Sequence, residues 1–249
     1  MNIQYAIKGD DVYVLEVNPR ASRTVPYVSK AIGRPLAKVA ARCMSGKSLE
    51  EMGVLDEVVP PYFSVKEAVF PFIKFPGVDT ILGPEMRSTG EVMGIGETFP
   101  EAFVKSQLAA GVLLPKTGKV FISVRDQDKD KVFEIAKELI GSGFELLATR
   151  GTAQALSAGG LDVEAVNKVA EGRPHIVDMI KNGDVAMIIN TVSDSHSSIR
   201  DSYSIRRTAL QGRVTYYTTV AGAKAASSGI RLMKDLQVYS LQEAHEIYS

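Results

Sequence analysis

Leu15-Glu16-Val17-Asn18-Pro19-Arg20-Ala21-Ser22-Arg23-Thr24-Val25-Pro26 is the stretch from which the rest of the chain is read. It closes a strand-like run that begins at Asp11. On a strand, Glu16 and Asn18 point to one face. They offer a carboxylate and an amide oxygen, hard donors suited to Mg²⁺. Pro19 lacks an N–H and ends the strand. Arg20 and Arg23 follow as forked cations that match phosphate. Oxygen donors beside paired guanidiniums fit metal–nucleotide phosphate chemistry, although an exposed strand end with ordinary salt bridges uses the same residue types. Upstream, Asn2 to Lys8 reads as a second strand, with Gly9-Asp10 as the turn of a hairpin. A lone hairpin is marginal in water, so this one is expected to need a sheet to lie on.

The 249 residues leave room for one large or two modest domains. Lys plus Arg and Asp plus Glu number 29 each, and this balance gives no electrostatic reason to expect nucleic acid or an acidic membrane as partner. No apolar run approaches the ~20 residues that span a bilayer. Met1-Asn2-Ile3-Gln4-Tyr5 has neither the basic start nor the apolar core of a signal peptide. Cys43 is the single cysteine, which excludes an internal disulfide framework and fits a reducing compartment. A cytoplasmic location is the expectation, with Cys43 as a small buried hydrophobe on a helix.

Tyr27 to Met44 has helical spacing broken at Gly33-Arg34-Pro35, and Gly46 marks a stop. Ser64 to Ile73 reads as a strand, with Pro71 suggesting an edge or bulge. Lys74 to Asp79 is turn-rich. Gly83 to Met93 is polar and carries two glycines, but it lacks the Gly-Lys-Ser/Thr ending of a phosphate loop and reads as a strand with turns. Pro100 to Ala110 is a short helix. Gly111 to Gly118 ends this region, which predicts domains at 1–115 and 116–249. Beyond it strands and helices alternate. The strands are Val120–Val124, Phe144–Ala148, Val163–Val169, Val185–Asn190 and Val214–Thr218. The helices are Lys129–Ile140, Thr152–Ala158, His175–Asn182, Ser197–Leu210 and Ala221–Ser228, with Val238–Ser240 and Leu241–Tyr248 closing the series. This order predicts an α/β fold, a doubly wound parallel sheet with helices on both faces.

Such sheets bind ligands beyond the C-terminal ends of their strands. Lys129, Thr149-Arg150-Gly151-Thr152, Lys168 and Asn190-Thr191 all fall at those ends. Each alone is an ordinary helix cap or turn. Facing one crevice together, they suit a phosphate-bearing small molecule. His175, His196 and His245 lack metal-binding spacing, and His175 reads as a cap for the helix after it. Ser193, Ser195, Ser197 and Ser198 sit in no nucleophile elbow.

The motif Glu16-Val17-Asn18-Pro19-Arg20 resembles the end of an ATP-grasp domain of the kind found in carbamoyl phosphate synthetase large subunits, and the resemblance continues to about Glu246. It implies that Gln4, Glu16 and Asn18 hold Mg²⁺ or Mn²⁺ with ATP, and that Arg20 and Arg23 serve catalysis near phosphate. It also implies that a nucleotide-binding body lies before Met1, so a C-terminal piece of a longer subunit is expected. That piece would be inactive alone and would have the rest of the subunit and a glutaminase small subunit as partners. Homo-oligomerisation through the C-terminal domain is a further option. The parent reaction would make carbamoyl phosphate from ammonia, bicarbonate and ATP, for pyrimidines and arginine. The run Val166 to Ile176 resembles the methylglyoxal-synthase-like regulatory domain of the same proteins. Carried over, it implies contacts to UMP or IMP at Lys129, Thr149, Thr152, Lys168, Asn190, Thr191 and Ser202. It likewise implies contacts to the activator ornithine at Glu67, Tyr216 and Thr218. Two departures leave the effector unassigned: Val192-Ser193-Asp194-Ser195-His196 replaces a glycine-bearing loop, and Arg150 stands where a His is common. Methylglyoxal synthase itself is disfavoured, because Lys168 to Arg173 replaces its Gly-Gly-Asp motif. A stand-alone nucleotide-binding regulatory or interaction protein is the alternative from another class.

Overall fold

The hairpin forms as the sequence indicates. In the computed structural model, which describes residues 1–75, 80, 87–192 and 196–248, β1 (Asn2–Lys8) and β2 (Asp11–Asn18) pair antiparallel. Gly9 takes φ +63° at the turn, a left-handed backbone that costs glycine nothing. Glu16 stands opposite Gln4 in the ladder, and the register shifts just after Gln4. Two helices follow, α1 (Thr24–Ala31) and α2 (Leu36–Met44). Cys43 lies on α2 but is only half-buried, so it is not the core residue expected.

The chain divides into two compact units, Met1–Tyr62 with Tyr239–Ser249, and Phe63–Val238. The second opens with β3 (Phe63–Val69), paired antiparallel with β4 (Gly90–Gly96). Pro71 falls after β3, before a short 3-10 turn at Phe72–Lys74, so it interrupts no ladder. Of the turn expected over Lys74 to Asp79, residues 76–79 lie outside the described residues. So do residues 83–86 of the polar segment at Gly83, whose end enters β4. The helix α3 (Phe99–Ala109) lies so close on β4 that a Cβ at Gly94 would overlap the Ala102 carbonyl oxygen.

The alternation downstream gives β5 (Gly118–Ser123), α4 (Lys129–Gly141), β6 (Phe144–Thr149), α5 (Arg150–Ala158), β7 (Glu164–Val166), α6 (Ile176–Asn182), β8 (Met187–Asn190), α7 (His196–Gln211), β9 (Thr215–Tyr217) and α8 (Val220–Ile230). The strands form one five-stranded sheet in the order β7-β6-β5-β8-β9, every pair parallel. Period-two alternation sorts their side chains. Val120, Ile122, Leu146, Ala148, Met187 and Ile189 join a core with residues of α3, α4, α5 and α8. Phe121, Leu147 and Ile188 join the opposite core with α6 and α7. The strand expected over Val163–Val169 is shorter, because the Glu171 carboxylate accepts the Lys168 amide at 2.9 Å and turns the chain into a 3-10 segment.

The closing segment departs from expectation. Val238–Ser240 forms no strand, and α9 (Leu241–Ile247) packs with the first unit instead of ending the alternation. The Tyr62 and Tyr248 rings meet at a tilt of 43° with centroids 5.0 Å apart, and the Tyr62 hydroxyl donates to the Ala31 carbonyl. The His245 Nε2 lies 2.7 Å from the Lys30 carbonyl. The described residues between 63 and 115 fall in the unit of the parallel sheet, and Val104 and Leu114 belong to its core. Packing therefore divides the chain elsewhere than at 115/116.

Candidate functional site

The sheet runs outward from β5 through β6 to β7, then returns to place β8 on the other side of β5. The connections from β5 and β8 leave in opposite directions, and a crevice opens beyond their C-terminal ends. A cavity of about 390 Å³ occupies it. Thr149, Lys168, Asn190, Thr191 and Ser202 all line it, so five of the seven proposed nucleotide contacts converge.

The other two are placed differently. Thr152 is buried beneath Thr149 and accepts from the Val124 amide at 3.3 Å, tying α5 to the end of β5. Lys129 forms a 2.8 Å ion pair with Asp126. Its ammonium lies beside Gly151, where a Cβ would stand 3.4 Å from it, at the opening turn of α5. Thr149 holds the N-cap position of α5, yet its side chain makes no cap hydrogen bond to the first amides of that helix. Its hydroxyl instead lies 3.3 Å from Ser123 Oγ and from Thr152 Oγ1. The first turn of α5 thus keeps amide donors for an anion.

Residues the sequence reading passed over complete the cavity. Arg125 and Asp126 line it from the β5–α4 loop, and Asp201 from α7. Asp128 is buried, with Arg125 Nε donating to it at 2.7 Å. Burial works to raise the Asp128 carboxyl, but hydrogen bonds from Arg125 and Thr191 outweigh that and hold it below the usual range. Thr191 also accepts the Arg125 amide at 3.1 Å, so it braces the loop as well as facing the cavity. Asp126 is held below the ordinary carboxylate range by its hydrogen bond and charge pairing with Lys129, with a smaller contribution from Lys168. Lys168 itself is exposed on the rim. Residues 193–195 of the departing loop lie outside the described residues. Arg150 Nη2 donates to Asn167 Oδ1 at 3.1 Å, bracing the segment that carries Lys168. His175 caps α6 as expected: its Nδ1 accepts the Asp178 amide while Asp178 accepts the His175 amide.

A second, larger cavity of about 720 Å³ is lined by Glu67, Tyr216 and Thr218, so these three also share one site. Burial raises the Glu67 carboxyl, offset in part by a hydrogen bond with Gln107. The Tyr217 hydroxyl donates to Gln107 Oε1 at 3.2 Å. Burial and then the charge of Glu67 push the Tyr217 phenol up. Gln107 was not singled out from the sequence, where a lone glutamine on an amphipathic helix carries no signal.

On the hairpin, Gln4 and Glu16 are cross-strand partners, and the Asn18 amide donates to the Glu16 carboxylate. One carboxylate with two amide groups suits Mg²⁺, which takes few protein ligands and completes its shell with phosphate and water. Asn18 would have to turn its Oδ1 toward the ion. Arg20 and Arg23 are both exposed beyond the strand.

Comparison with known proteins bears on the family of the chain. Residues 131–218 match the family described as MGS-like domain, and residues 1–52 match the carbamoyl-phosphate synthase L chain, ATP binding domain. The chain is 63% identical to the carbamoyl phosphate synthase large chain of Ralstonia nicotianae, over 98% of this chain and 23% of that protein. It is 60% identical to the large chain of Pasteurella multocida, over 99% of this chain and 23% of that one. With the large chain of Neisseria meningitidis the identity is 61%, over 98% and 23% respectively. The chain therefore spans about a quarter of the length of these relatives. Among the described residues no helix is long and apolar enough to cross a membrane. By two family matches and by identity along nearly its whole length, this chain belongs to the carbamoyl phosphate synthase large-chain family.

Proposed function

We propose that this chain is the nucleotide-sensing portion of a carbamoyl phosphate synthase. In this reading residues 116–249 are its regulatory domain and residues 1–115 connect that domain to the ATP-binding part. The whole protein would make carbamoyl phosphate with ATP, for pyrimidine and arginine synthesis, drawing ammonia from a glutaminase partner. Gln4, Glu16 and Asn18 would hold Mg²⁺ or Mn²⁺, whose charge would offset that of the phosphates. Arg20 and Arg23 would add positive charge beside them.

One observation carries the regulatory reading: Thr149, Asn190, Thr191 and Ser202 meet Lys168 in one cavity at the switch point of the sheet. Hydroxyls, amides, a cation and the open first turn of α5 suit a nucleoside monophosphate such as UMP or IMP. Lys129 would add charge from beside Gly151. Glu67, Tyr216 and Thr218 would hold the amine of an activator such as ornithine in the second cavity.

Calorimetry on the 249-residue chain with UMP, IMP and AMP tests this. Lys168→Ala should weaken binding roughly ten- to a hundredfold, the range for one charge-assisted hydrogen bond. No binding of any of the three at millimolar concentration would remove the assignment. Binding untouched by Lys168→Ala would move the site elsewhere.

A further inference from the structure

Ser202 lines the first cavity from α7 and is 3% exposed. Its oxygen accepts two hydrogen bonds, from Asn190 Nδ2 at 2.6 Å and from Arg206 Nη1 at 2.8 Å. A serine hydroxyl has two acceptor positions and one proton. With both acceptor positions taken by N–H donors, the proton is left as its only remaining function. Serines and threonines on helices often return that proton to the carbonyl one turn back, as Thr208 does to Ser204 at 2.8 Å on the same helix. Ser202 makes no such bond among the described residues. A buried donor without an acceptor is costly, and the open space beside it is the cavity.

Arg206 is as buried as Ser202, also 3% exposed, and does not line the cavity itself. Its guanidinium lies one helical turn behind Ser202. A cation donating to a hydroxyl oxygen polarises the O–H and makes it a stronger donor, above all to an anionic acceptor.

We infer that Arg206 is a positioning residue for the cavity's ligand: with Asn190 it fixes the Ser202 hydroxyl as an obligate donor, polarised toward an oxygen of the ligand's phosphoryl group. This rests on the reading of the cavity as a nucleotide site and names a determinant of it that touches no ligand. The same device predicts discrimination. A ligand placing an N–H or an apolar group at Ser202 would leave the polarised proton unmatched.

The test is calorimetry on the full chain with UMP and with inorganic phosphate, for wild type, Ser202→Ala, Arg206→Lys, Arg206→Met and Ser202→Ala/Arg206→Met. Thermal unfolding without ligand is recorded for each. Ser202→Ala and Arg206→Met should each weaken both ligands about tenfold, the scale of one charge-assisted bond. The double variant should lose little more than either single one, because one relay has been cut twice. Arg206→Lys should recover part of the loss by restoring charge without the planar fork. A purely structural Arg206 would instead give additive losses that follow the fall in thermal midpoint, and that outcome overturns the inference. So does a loss confined to UMP, which would place the Ser202 proton at the sugar or base. Should Arg206→Met not fold, Ser202→Ala with Arg206→Lys completes the cycle, and additivity there has the same meaning. Absence of UMP binding by wild type overturns the nucleotide reading and this inference together. Binding by wild type with Ser202→Ala unimpaired overturns this inference alone.

Discussion

Glu67 keeps its carboxyl above the ordinary range because burial penalises its charge, and Gln107 offsets only part of this. The native state therefore holds that proton more tightly than the unfolded chain does. The resulting stability is fully present below the ordinary value of 4.5 and is lost as pH rises through the raised native value. Glu67→Gln should stabilise the chain at pH 7, by less than about 1 kcal/mol because the half-buried site is screened by solvent. It should give no gain near pH 4. Urea unfolding at the two pH values checks this, and a loss at pH 7 would show that the charge is paired more strongly than burial opposes it. Asp126 has the opposite sense, since Lys129 and then Lys168 favour its charged form. It competes with any phosphate for those lysines. Asp126→Asn should tighten UMP binding roughly two- to threefold at low salt, with the gain fading as salt rises. Weaker binding would make Asp126 part of the ligand's own contacts. At this scale the sequence displayed residue types but not their duties. Thr149 and Thr152 both read as caps three residues apart. Only the orientation of α5 decides that one lines the cavity while the other holds β5.

The elements were more legible than the residues. Alternating apolar runs in β5, β6 and β8 and helical spacing in α4 and α8 are local signals, and each formed close to where its pattern lay. What failed was set by tertiary contacts. β7 stops early because Glu171 reaches back to the Lys168 amide. The capping box of Ser240 with Glu243 does announce a helix. Nothing in it says that α9 returns to the first unit, where Tyr248 meets Tyr62. Glycine at 94 is another tertiary requirement that sequence alone cannot distinguish from a turn. A Cβ there would overlap the Ala102 carbonyl oxygen and stand 2.5 Å from the Ser106 amide nitrogen, both backbone atoms of α3. Backbone cannot rotate aside as a side chain can. Gly94→Ala should therefore cost about 3 kcal/mol, the upper end for overpacking. Equilibrium unfolding would read it, and a cost below about 1 kcal/mol would mean that α3 shifts freely on the sheet.

Across the whole molecule, burial is distributed unevenly, and that bears on what the chain does alone. The second unit owns both hydrophobic cores. In the hairpin, by contrast, Tyr5, Ile7, Val12, Tyr13, Val14, Leu15 and Val17 are all exposed, Ile7 at 74%. Successive residues of β2 point to opposite faces, so exposed apolar side chains stand on both faces of the hairpin among the described residues. A two-stranded ladder without a packed face has little beyond its own hydrogen bonds to hold it. Amides of β1 and β2 should exchange within seconds to minutes, while those of β5, β6 and β8 should be protected to near the global unfolding limit. Hydrogen exchange read by mass spectrometry on the 249-residue chain would show the contrast directly. The same uncovered hairpin carries Gln4, Glu16 and Asn18, so their alignment would persist only while the ladder does. The chain alone should accordingly give no ATP-dependent carbamoyl phosphate, since phosphoryl transfer depends on groups held in place together. Protection of β1 and β2 equal to that of β5 would overturn this argument, because the hairpin would then have to be covered by a second molecule.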